Sequence, residues 1–494
     1  MKILLTTLNS KFIHSNLALK YLYNAVAQAY ADVEVEEFTI NNDPSYIYGE
    51  ILRGEYDMVC FSTYIWNVEQ TCRISEKLKK ADPNLIIAFG GPEVSYDYVS
   101  FLENHKFLDI LIRGEGEYPF YRICKAMLTG NKDISQIPGL AYRLDGKIFV
   151  NPDQELADFE KIPFPYKNME IEDNRIIYYE SARGCPFRCS YCLSSIEKKV
   201  RALPLDRGGS DLGYFLYKNV PQVKFIDRTF NYDKARTREI ISYLIDNDNG
   251  ITNFHMEICA DLLDDELIAL LAKARKGLFQ FEIGIQSTNP MTLAAVDRND
   301  NIYPVLHNIK RLIELSNSHV HADLIAGLPY EDYESFARSF DKVYELGADN
   351  LQLGFLKLLK GTKIRNEEEV HGYVYEDHAP YQVISNKYIS ALELVKLKEI
   401  EEVLDLYSNR GGFENTLSFL MKDKESAFEF FESLAHFYYA NGYQHVSHKK
   451  EDLYRIIYKF AREKENIQDV LMHDMEKTLN FDAVKRFKKK GWEI

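Results

Sequence analysis

The sequence predicts an α/β protein in three parts: a Rossmann-like N-terminal domain, a second α/β domain of six strand–helix units, and an α-helical C-terminal domain. Short apolar strand-like runs alternate with amphipathic helical stretches as far as residue 365, and only helical periodicity follows. Two prolines within the stretch 162–166 prevent either regular element and indicate a linker. We therefore predict domains at 1–150, 171–365 and 366–494, with a linker at 151–170.

Composition and charge lead us to expect a soluble protein of the reducing cytoplasm. Of the 494 residues 46% are hydrophobic and 27% charged, and no apolar run approaches the ~20 residues of a membrane span. The N-terminus is too soon polar for a signal peptide, and seven cysteines are neither dense nor even enough for a disulfide framework. The net charge of −15 argues against nucleic-acid binding by phosphate neutralisation alone, and we interpret the basic stretch 485–490 as a solvated helix face.

The first 150 residues predict an open parallel sheet covered by helices. The strands are expected at 2–8, 33–38, 57–62, 85–89 and 109–112, and the helices include 17–29 and 73–80. Asp145 and Gly146 form a strong two-residue turn signal and predict a hairpin at 139–150. In sheets of this kind, ligands bind beyond the carboxyl ends of the strands.

Four loops at those strand ends carry glycine, polar and aromatic residues. They are 9–14, 62–67, 90–93 and 114–117. Paired glycines let the backbone approach a bulky ligand closely and offer amide donors without steric cost. Each loop alone is compatible with a plain turn. Four of them on one rim of the sheet predict a ligand site.

Three thiols lie within eight residues, at Cys185, Cys189 and Cys192, directly after a predicted strand. Thiolates select zinc, copper(I) or iron-sulfur centres, and a zinc knuckle would need a fourth Cys or His nearby. The next candidates, His255 and Cys259, are too far along the chain. Three ligands with one open position suit a [4Fe-4S] cluster that binds a substrate at its fourth iron.

The spacing Cys-x3-Cys-x2-Cys, with an aromatic residue before the last cysteine, resembles the radical S-adenosylmethionine (SAM) superfamily. The four loops resemble the cobalamin-binding domain that precedes many enzymes of that superfamily. The resemblance implies a partial (β/α)6 TIM-like barrel at 171–365, with cofactors [4Fe-4S], SAM and cobalamin. It places the cobalamin contacts at Asn9, His14, Ser62, Thr63, Tyr64, Trp66, Gly90, Gly91, Glu93, Gly114, Glu115, Gly116 and Glu117.

The N-terminal loop departs from the better-known cobalamin pattern, Asp-x-His-x-x-Gly, in which the histidine ligates cobalt. His14 lacks both the Asp and the Gly of that pattern. We therefore expect a hydrogen-bonding or structural role for His14, because the acid that would orient an imidazole ligand is missing. Tyr64 or Trp66 is then a candidate to lie under the corrin, with a core role for Trp66 as the alternative.

The same resemblance implies that strand ends of the barrel hold SAM. The predicted contacts are Tyr191, Glu257, Glu282, Gln286, Arg298, Asp323 and Ile325. Asp323 stands in place of the first glycine of the superfamily's Gly-x-Ile-x-Gly stretch, and Ile325 would form an apolar wall against adenine. The alternative for a glutamate at a strand end is a helix cap or a solvated rim, and for Arg298 a solvated loop.

Beyond residue 366 the sequence predicts helices at 388–406, 427–440, 452–462 and 469–479, with aromatic residues as core. This tail resembles the uncharacterised C-terminal extension of one cobalamin-dependent radical SAM group. That resemblance names no substrate, so a small molecule, a peptide and a modified tRNA stay open. A flavodoxin or ferredoxin is the implied electron donor.

The function that the resemblance implies is methyl transfer to an unactivated carbon. In that family, reductive cleavage of SAM gives a 5′-deoxyadenosyl radical that removes hydrogen from the substrate, and methylcobalamin supplies the methyl group. A radical rearrangement or cyclisation with the same cofactors and a non-enzymatic cobalamin-binding module are alternatives. A methylthiotransferase would need a second cluster, and we expect Cys60, Cys72 and Cys124 to be buried in a strand and two helices instead.

Overall fold

The computed structural model describes residues 1–26, 32–129, 133–169, 171–298 and 301–492. Ala29, near the end of the helix predicted at 17–29, lies outside these ranges. The chain divides into two compact units, one of residues 1–257, 358–366 and 376–381 and the other of residues 258–357, 367–375 and 382–494. None of the helices in the described ranges has the length and apolarity that a membrane crossing needs.

A sheet of seven described strands forms the first part of the first unit. They are β1 (Ile3–Asn9), β2 (Val33–Thr39), β3 (Met58–Ser62), β4 (Ile86–Gly90), β5 (Ile110–Ile112), β6 (Leu140–Leu144) and β7 (Lys147–Val150). Their order is β2-β1-β3-β4-β5-β6-β7, and β1 to β5 run parallel, whereas β6 and β7 form the predicted antiparallel hairpin. The helices are Leu17–Val26, Pro44–Arg53, Val68–Ala81, Tyr98–Asn104 and Glu117–Leu128, with a 3₁₀ turn at Pro92–Val94.

Both faces of this sheet are covered by apolar cores because successive strand residues point to opposite faces. Along β3, Val59 and Phe61 pack in one core and Cys60 in the other. Cys72 lies in a helix against the first core, and Cys124 lies in a helix within the second. The predicted strand and two helices are confirmed, and Cys60 and Cys124 are buried as predicted, whereas Cys72 is only partly buried. Burial raises the pKa of Cys72 and of Cys124 to about 12.

The first unit also contains the beginning of the second α/β region. Its strands are β8 (Ile177–Tyr179), β9 (Ala182–Arg183), β10 (Arg201–Ala202), β11 (Gln222–Phe225) and β12 (Asn253–Glu257). β11 pairs in parallel with β8 on one side and β12 on the other, and β9 pairs antiparallel with β10. The helices are Leu205–Tyr217, Lys234–Asp246 and Lys363–Asn366, with 3₁₀ turns at Phe159–Lys161 and Leu193–Ser195.

The second unit contains three longer parallel strands, β13 (Phe279–Gln286), β14 (His319–Ala326) and β15 (Asn350–Phe355). β14 lies between the other two, and a short antiparallel pair follows, β16 (Val374–Tyr375) and β17 (Val383–Ser385). The helices near these strands are Asp265–Leu271, Pro290–Ala295, Ile302–Glu314, Tyr333–Tyr344 and Glu368–His371, with a 3₁₀ turn at Ala260–Leu262. All six strands predicted for 171–365 are therefore present.

The C-terminal region is helical, as predicted. Its helices are Ala391–Leu404 (continued by a π turn, Asp405–Asn409), Glu414–Met421, Ala427–Ala440, Lys450–Ala461, Ile467–Thr478 and Phe481–Lys490, with a 3₁₀ turn at Tyr443–His445. Aromatic side chains of Ala427–Ala440, among them Phe428 and Phe431, are buried as core. The basic side chains of the last helix are exposed, which confirms a solvated face. The predicted α/β class with a helical C-terminal part is confirmed.

Candidate active site

A cavity of about 1130 Å³ opens in the first unit, between the loops that follow β1, β3, β4 and β5 and the carboxyl ends of β8, β11 and β12. Its volume lies at the upper limit of ordinary small-molecule pockets, roughly 300–1,000 Å³, which suits a large cofactor. Most of the predicted cobalamin residues line it: Asn9, His14, Ser62, Tyr64, Trp66, Gly90, Gly91, Gly114, Glu115, Gly116 and Glu117. Thr63 and Glu93 are outside the lining.

The glycine loop after β4 is shaped by a close backbone approach. Gly91 has φ +110°, and a Cβ at this position would lie 2.5 Å from the Thr63 carbonyl oxygen. Thr63 is buried and holds that approach, because its backbone N–H and its Oγ1 both donate to the carbonyl of Gly90, over 2.8 and 2.7 Å. Thr63 thus supports the loop from behind, while Gly90 and Gly91 leave the cavity open to a bulky group.

Two aromatic rings form a flat surface in the same cavity. Tyr64 and Trp66 are stacked with ring centroids 4.4 Å apart and planes 5° from parallel. Trp66 is 45% exposed, so it is no core anchor, and its Nε1 donates to the Leu8 carbonyl over 3.2 Å. An exposed aromatic platform beside glycine loops fits a large planar cofactor such as a corrin.

His14 lines the cavity and is held by a residue of the second α/β region. Its Nδ1 lies 2.6 Å from the hydroxyl of Tyr178, and Arg175 donates to the His14 carbonyl over 2.7 Å. Burial lowers the pKa of His14, and the nearby charges of Lys11 and Lys224 lower it further. The imidazole is therefore neutral at physiological pH.

The turn 114–117 is tied to the strand before the cysteine loop by buried ion pairs. Arg183 contacts Glu117 over 2.5 Å, Glu180 over 2.9 Å and Glu115 over 3.2 Å, and Arg201 contacts Glu115 over 2.5 Å. Burial acts to raise the pKa of Glu115, but the two arginines outweigh it and hold the pKa below its ordinary value. For Glu180 burial dominates and raises the pKa to about 7.

Glu93, predicted as a cobalamin contact, is instead buried away from the cavity. Lys360 donates to Glu93 Oε1 over 2.7 Å, and the hydroxyl of Tyr381 donates to the same oxygen. These partners belong to segments 358–366 and 376–381, which are part of the same unit. In this structure Glu93 fixes those segments to the loop after β4.

The cysteine loop lies directly after β9. Cys185 is buried, with Sγ 3.5 Å from Thr229 Oγ1, while Cys189 and Cys192 are half-buried, and none of the three forms a disulfide with a described residue. Gly184 has φ +92°, and a Cβ there would lie 2.4 Å from the Lys199 carbonyl, so this loop needs glycine before its first cysteine. No group of three or more Cys, His, Asp or Glu in the described ranges is arranged around a single metal ion. Three thiols on one loop, outside any disulfide, are the donor set of an iron-sulfur cluster.

The predicted SAM contacts are divided between the two units. Glu257 lines the cavity of the first unit, and Tyr191 is half-buried in the cysteine loop. Glu282 and Gln286 lie on the half-exposed face of β13, and Asp323 and Ile325 on that of β14.

Gln286 has two features of a ligand-binding side chain. It has a positive φ of 70°, and its buried Oε1 makes no hydrogen bond with the described residues. Backbone strain and unsatisfied buried polar atoms are found preferentially at functional sites. Arg298, in contrast, donates to the Gly284 carbonyl over 3.0 Å, so the predicted solvated loop does not describe it.

The sequence reasoning missed three residues that line the cavity, Tyr178, Glu180 and Arg183. It also missed Arg201, which contacts Glu115. Glu331 was missed as well: it is buried after β14, accepts from Ser287 Oγ over 2.5 Å, and burial raises its pKa to about 7. The alternation along β8 could have identified Tyr178 and Glu180. Ile177 and Tyr179 point into the core, so the residues after each of them point to the opposite face, towards the cavity.

Three family models match consecutive parts of the chain: the B12 binding domain at residues 3–123, the Radical SAM superfamily at 179–343, and a protein family of unknown function, DUF4080, at 369–493. A B12-binding domain followed by a radical SAM domain defines the class. This chain has both domains in that order, as the cobalamin-dependent radical SAM proteins do.

Curated relatives differ in what they do. The cobalamin-dependent radical SAM methyltransferase TokK of Streptomyces tokunonensis is 24% identical over 65% of this chain and 49% of its own length. The anaerobic magnesium-protoporphyrin IX monomethyl ester cyclase of Rubrivivax gelatinosus is 24% identical over 58% and 52%. The tRNA-2-methylthio-N(6)-dimethylallyladenosine synthase of Petrotoga mobilis is 22% identical over 72% and 80%. The chain thus spans about half the length of TokK and of the cyclase.

Two solved structures share the fold. The cobalamin-dependent SAM radical enzyme OxsB, with aqua-cobalamin and SAM bound, has a TM-score of 0.67 and 16% identity, covering 100% of this chain and 84% of OxsB. The radical SAM methyltransferase TsrM from Kitasatospora setae, with cobalamin and a [4Fe-4S] cluster bound, has a TM-score of 0.64 and 17% identity, covering 77% and 76%. These likenesses confirm the predicted fold class.

Proposed function

We propose that this protein is a cobalamin-dependent radical SAM methyltransferase that acts on an unactivated carbon. The observation that carries the proposal is the cavity of about 1130 Å³, which the strand-end loops of the first sheet share with the strand ends beside the cysteine loop. A cobalamin seated on the first sheet would therefore face the region where the cysteine loop begins.

The residues present fit the three cofactors. Cys185, Cys189 and Cys192 would hold the cluster and leave one iron for SAM. The glycine loops and the platform of Tyr64 and Trp66 would hold cobalamin. The proposed SAM contacts are Tyr191, Glu257, Glu282, Gln286, Arg298, Asp323 and Ile325. Bound together, these cofactors supply radical generation from SAM and transfer of a methyl group.

The protein's own contribution is positioning and exclusion of water. The ion pairs of Arg183 fix the turn 114–117 relative to the strand that precedes the cysteine loop. Burial raises the pKa of Glu180, at the cavity wall, to about 7, so near neutral pH part of the molecules present a neutral donor there rather than a charge. A preorganised site of this kind favours the intended reaction of a radical over its side reactions.

A radical cyclisation with the same cofactors is the second candidate, because the cyclase of Rubrivivax gelatinosus is among the relatives. A methylthiotransferase is disfavoured, since Cys72 packs on the opposite face of the first sheet from Cys60 and Cys124 and the three thiols do not converge on one cluster. A cobalamin-binding module without catalysis leaves the cysteine loop without a role.

We further propose a small-molecule or peptide substrate, a flavodoxin or ferredoxin as electron donor, and a cytoplasmic location.

Metal analysis tests the cofactor assignment. After anaerobic reconstitution with iron, sulfide and hydroxocobalamin, we expect about four irons and one cobalt per chain. The triple variant Cys185→Ala, Cys189→Ala, Cys192→Ala should lose the iron and keep the cobalt. The matched triple variant Cys60→Ala, Cys72→Ala, Cys124→Ala removes as many thiols and should keep both. Iron without cobalt in the wild type would overturn the proposal.

Product analysis separates the two candidate reactions. With methyl-labelled SAM, a reductant and a library of small molecules and peptides, a methyltransferase should release 5′-deoxyadenosine and S-adenosylhomocysteine together and add the label to one library member. Release of 5′-deoxyadenosine alone, with a substrate whose mass does not gain a methyl group, would favour cyclisation.

A further inference from the structure

His14 combines three properties of an imidazole prepared to bind a metal. It lines the cavity, its Nδ1 makes a hydrogen bond of 2.6 Å to Tyr178, and no described residue hydrogen-bonds its Nε2. Metal-binding histidines are oriented in this way: a hydrogen bond donated by one ring nitrogen leaves the other nitrogen free for the metal, and the Tyr178 hydroxyl can accept such a bond.

The residue that orients the His14 ring comes from far along the chain. His14 has no acid two residues before it, but Tyr178 stands 164 residues later, beside the bridge that pairs His14 with Ile176. Tyr166 fixes the position of Tyr178, since its hydroxyl donates to the Tyr178 carbonyl over 2.6 Å. The backbone of Tyr178 is thus fixed by the buried Tyr166, as the backbone of a residue that orients a ligand should be.

We propose that His14 is the lower cobalt ligand of bound cobalamin through Nε2, and that Tyr178 is the positioning residue that accepts a hydrogen bond from Nδ1–H. The inference rests on the proposed function, because it presumes that cobalamin occupies the cavity. It differs from the expectation drawn from the missing Asp-x-His-x-x-Gly motif. The competing arrangement has the rings of Tyr64 and Trp66 under the corrin and no histidine on cobalt; in it the Tyr178 hydroxyl donates to Nδ1, and Nε2 carries the proton.

Electron paramagnetic resonance of the reduced, cobalt(II) form distinguishes these arrangements. The full chain is loaded with cobalamin and reduced, once with ordinary nitrogen and once with histidine labelled by the heavy nitrogen isotope. A histidine ligand gives a nitrogen triplet on the cobalt lines that becomes a doublet with the label. A triplet that the label leaves unchanged comes from the cofactor's own benzimidazole and would overturn the inference, as would the absence of nitrogen splitting.

Variants extend the test to Tyr178. Tyr178→Phe keeps the ring and removes the hydroxyl, and we expect about 10- to 100-fold weaker cobalamin binding with a weaker or mixed nitrogen splitting. His14→Ala should abolish the splitting, whereas His307→Ala, an exposed position on the helix Ile302–Glu314, should leave it unchanged. A Tyr178→Phe variant with wild-type affinity and splitting would remove Tyr178 from the proposal. If the wild type bound no cobalamin at all, the proposed function would fail; cobalamin without histidine nitrogen refutes this inference alone.

Discussion

The exchange Glu180→Gln tests whether a buried carboxyl at the cavity wall holds a proton near neutral pH. The Glu180 side chain is 14% exposed, and Arg183 donates to it from Nε over 2.9 Å. Burial raises the pKa of Glu180 to about 7, and the positive charge of Arg183 offsets this only in part. Glutamine has nearly the same shape and is neutral at every pH, so the exchange removes the titration and preserves the packing.

The direction of the effect follows from the protons bound by each state. The carboxyl titrates near its ordinary pKa of 4.5 in the unfolded chain and near about 7 in the folded one. Between these values the folded state keeps a proton that the unfolded state has released, so the fold loses stability as the pH rises. At roughly 1.4 kcal/mol per pH unit, the loss amounts to about 3 kcal/mol across the window. Relative to wild type, the variant's free energy of unfolding should rise by up to about 3 kcal/mol over the same range.

The two tryptophans of the chain provide the assay. Trp66 lies in the first unit and Trp492 in the second, so a Trp492→Phe background leaves Trp66 as the reporter of the unit that contains Glu180. Urea denaturation of the ligand-free protein is followed by Trp66 fluorescence at several pH values between about 5 and 8. Glu155→Gln, an exposed glutamate of the same unit, serves as the control for a generic change of charge.

Refutation would come from two curves that run parallel through this window. It would mean that Glu180 titrates alike in both states and that its proton is not held by the fold. A variant that instead loses stability relative to wild type as the pH rises would show that the ionised carboxylate is favoured, with Arg183 outweighing burial. Either result would also remove the proposed neutral donor from the cavity wall.

Three further changes have expected outcomes. Gly91→Ala should lower the free energy of unfolding, measured in thermal melts, by about 1–3 kcal/mol or more, because it adds a Cβ clash with a backbone carbonyl to the strain of a positive φ. The control Gly146→Ala, at a position with positive φ and open space, should cost only about 1–2 kcal/mol in the same measurement. Lys360→Met should cost about 3–5 kcal/mol because it leaves Glu93 buried without its cation, and adding Glu93→Gln should recover part of that loss in a double-mutant cycle. Asp474→Ala should destabilise the second unit by about 3 kcal/mol, followed by Trp492 fluorescence, since this buried carboxylate accepts hydrogen bonds from the first turn of the helix Glu414–Met421.

Local periodicity was sufficient to predict the elements and the loops that carry the site. Strand alternation and the rule that ligands bind at the carboxyl ends of parallel strands identified the four loops, and all four contribute to one cavity. The direction of individual side chains was harder to predict. Ser62 and Tyr64 line the cavity while Thr63 between them points into the fold, as alternation requires, but Glu93 lies in the 3₁₀ turn Pro92–Val94, where no simple period applies.

Long-range partners account for the rest of what the sequence left open. In the sequence Glu93 is an ordinary carboxylate of a loop. The segment 358–366 returns to this loop and brings Lys360, 267 positions away, into a structural ion pair with Glu93. The same reasoning applied to His14 gives the opposite result. Judged by its immediate neighbours, His14 lacks the acid that would orient a cobalt ligand, yet the fold brings Tyr178 to its Nδ1. A motif defined by adjacent residues describes one way to orient an imidazole, and a hydroxyl on a neighbouring strand can accept the same hydrogen bond from Nδ1–H. The absence of a local motif is therefore weak evidence against a metal ligand whenever a second element packs over the loop.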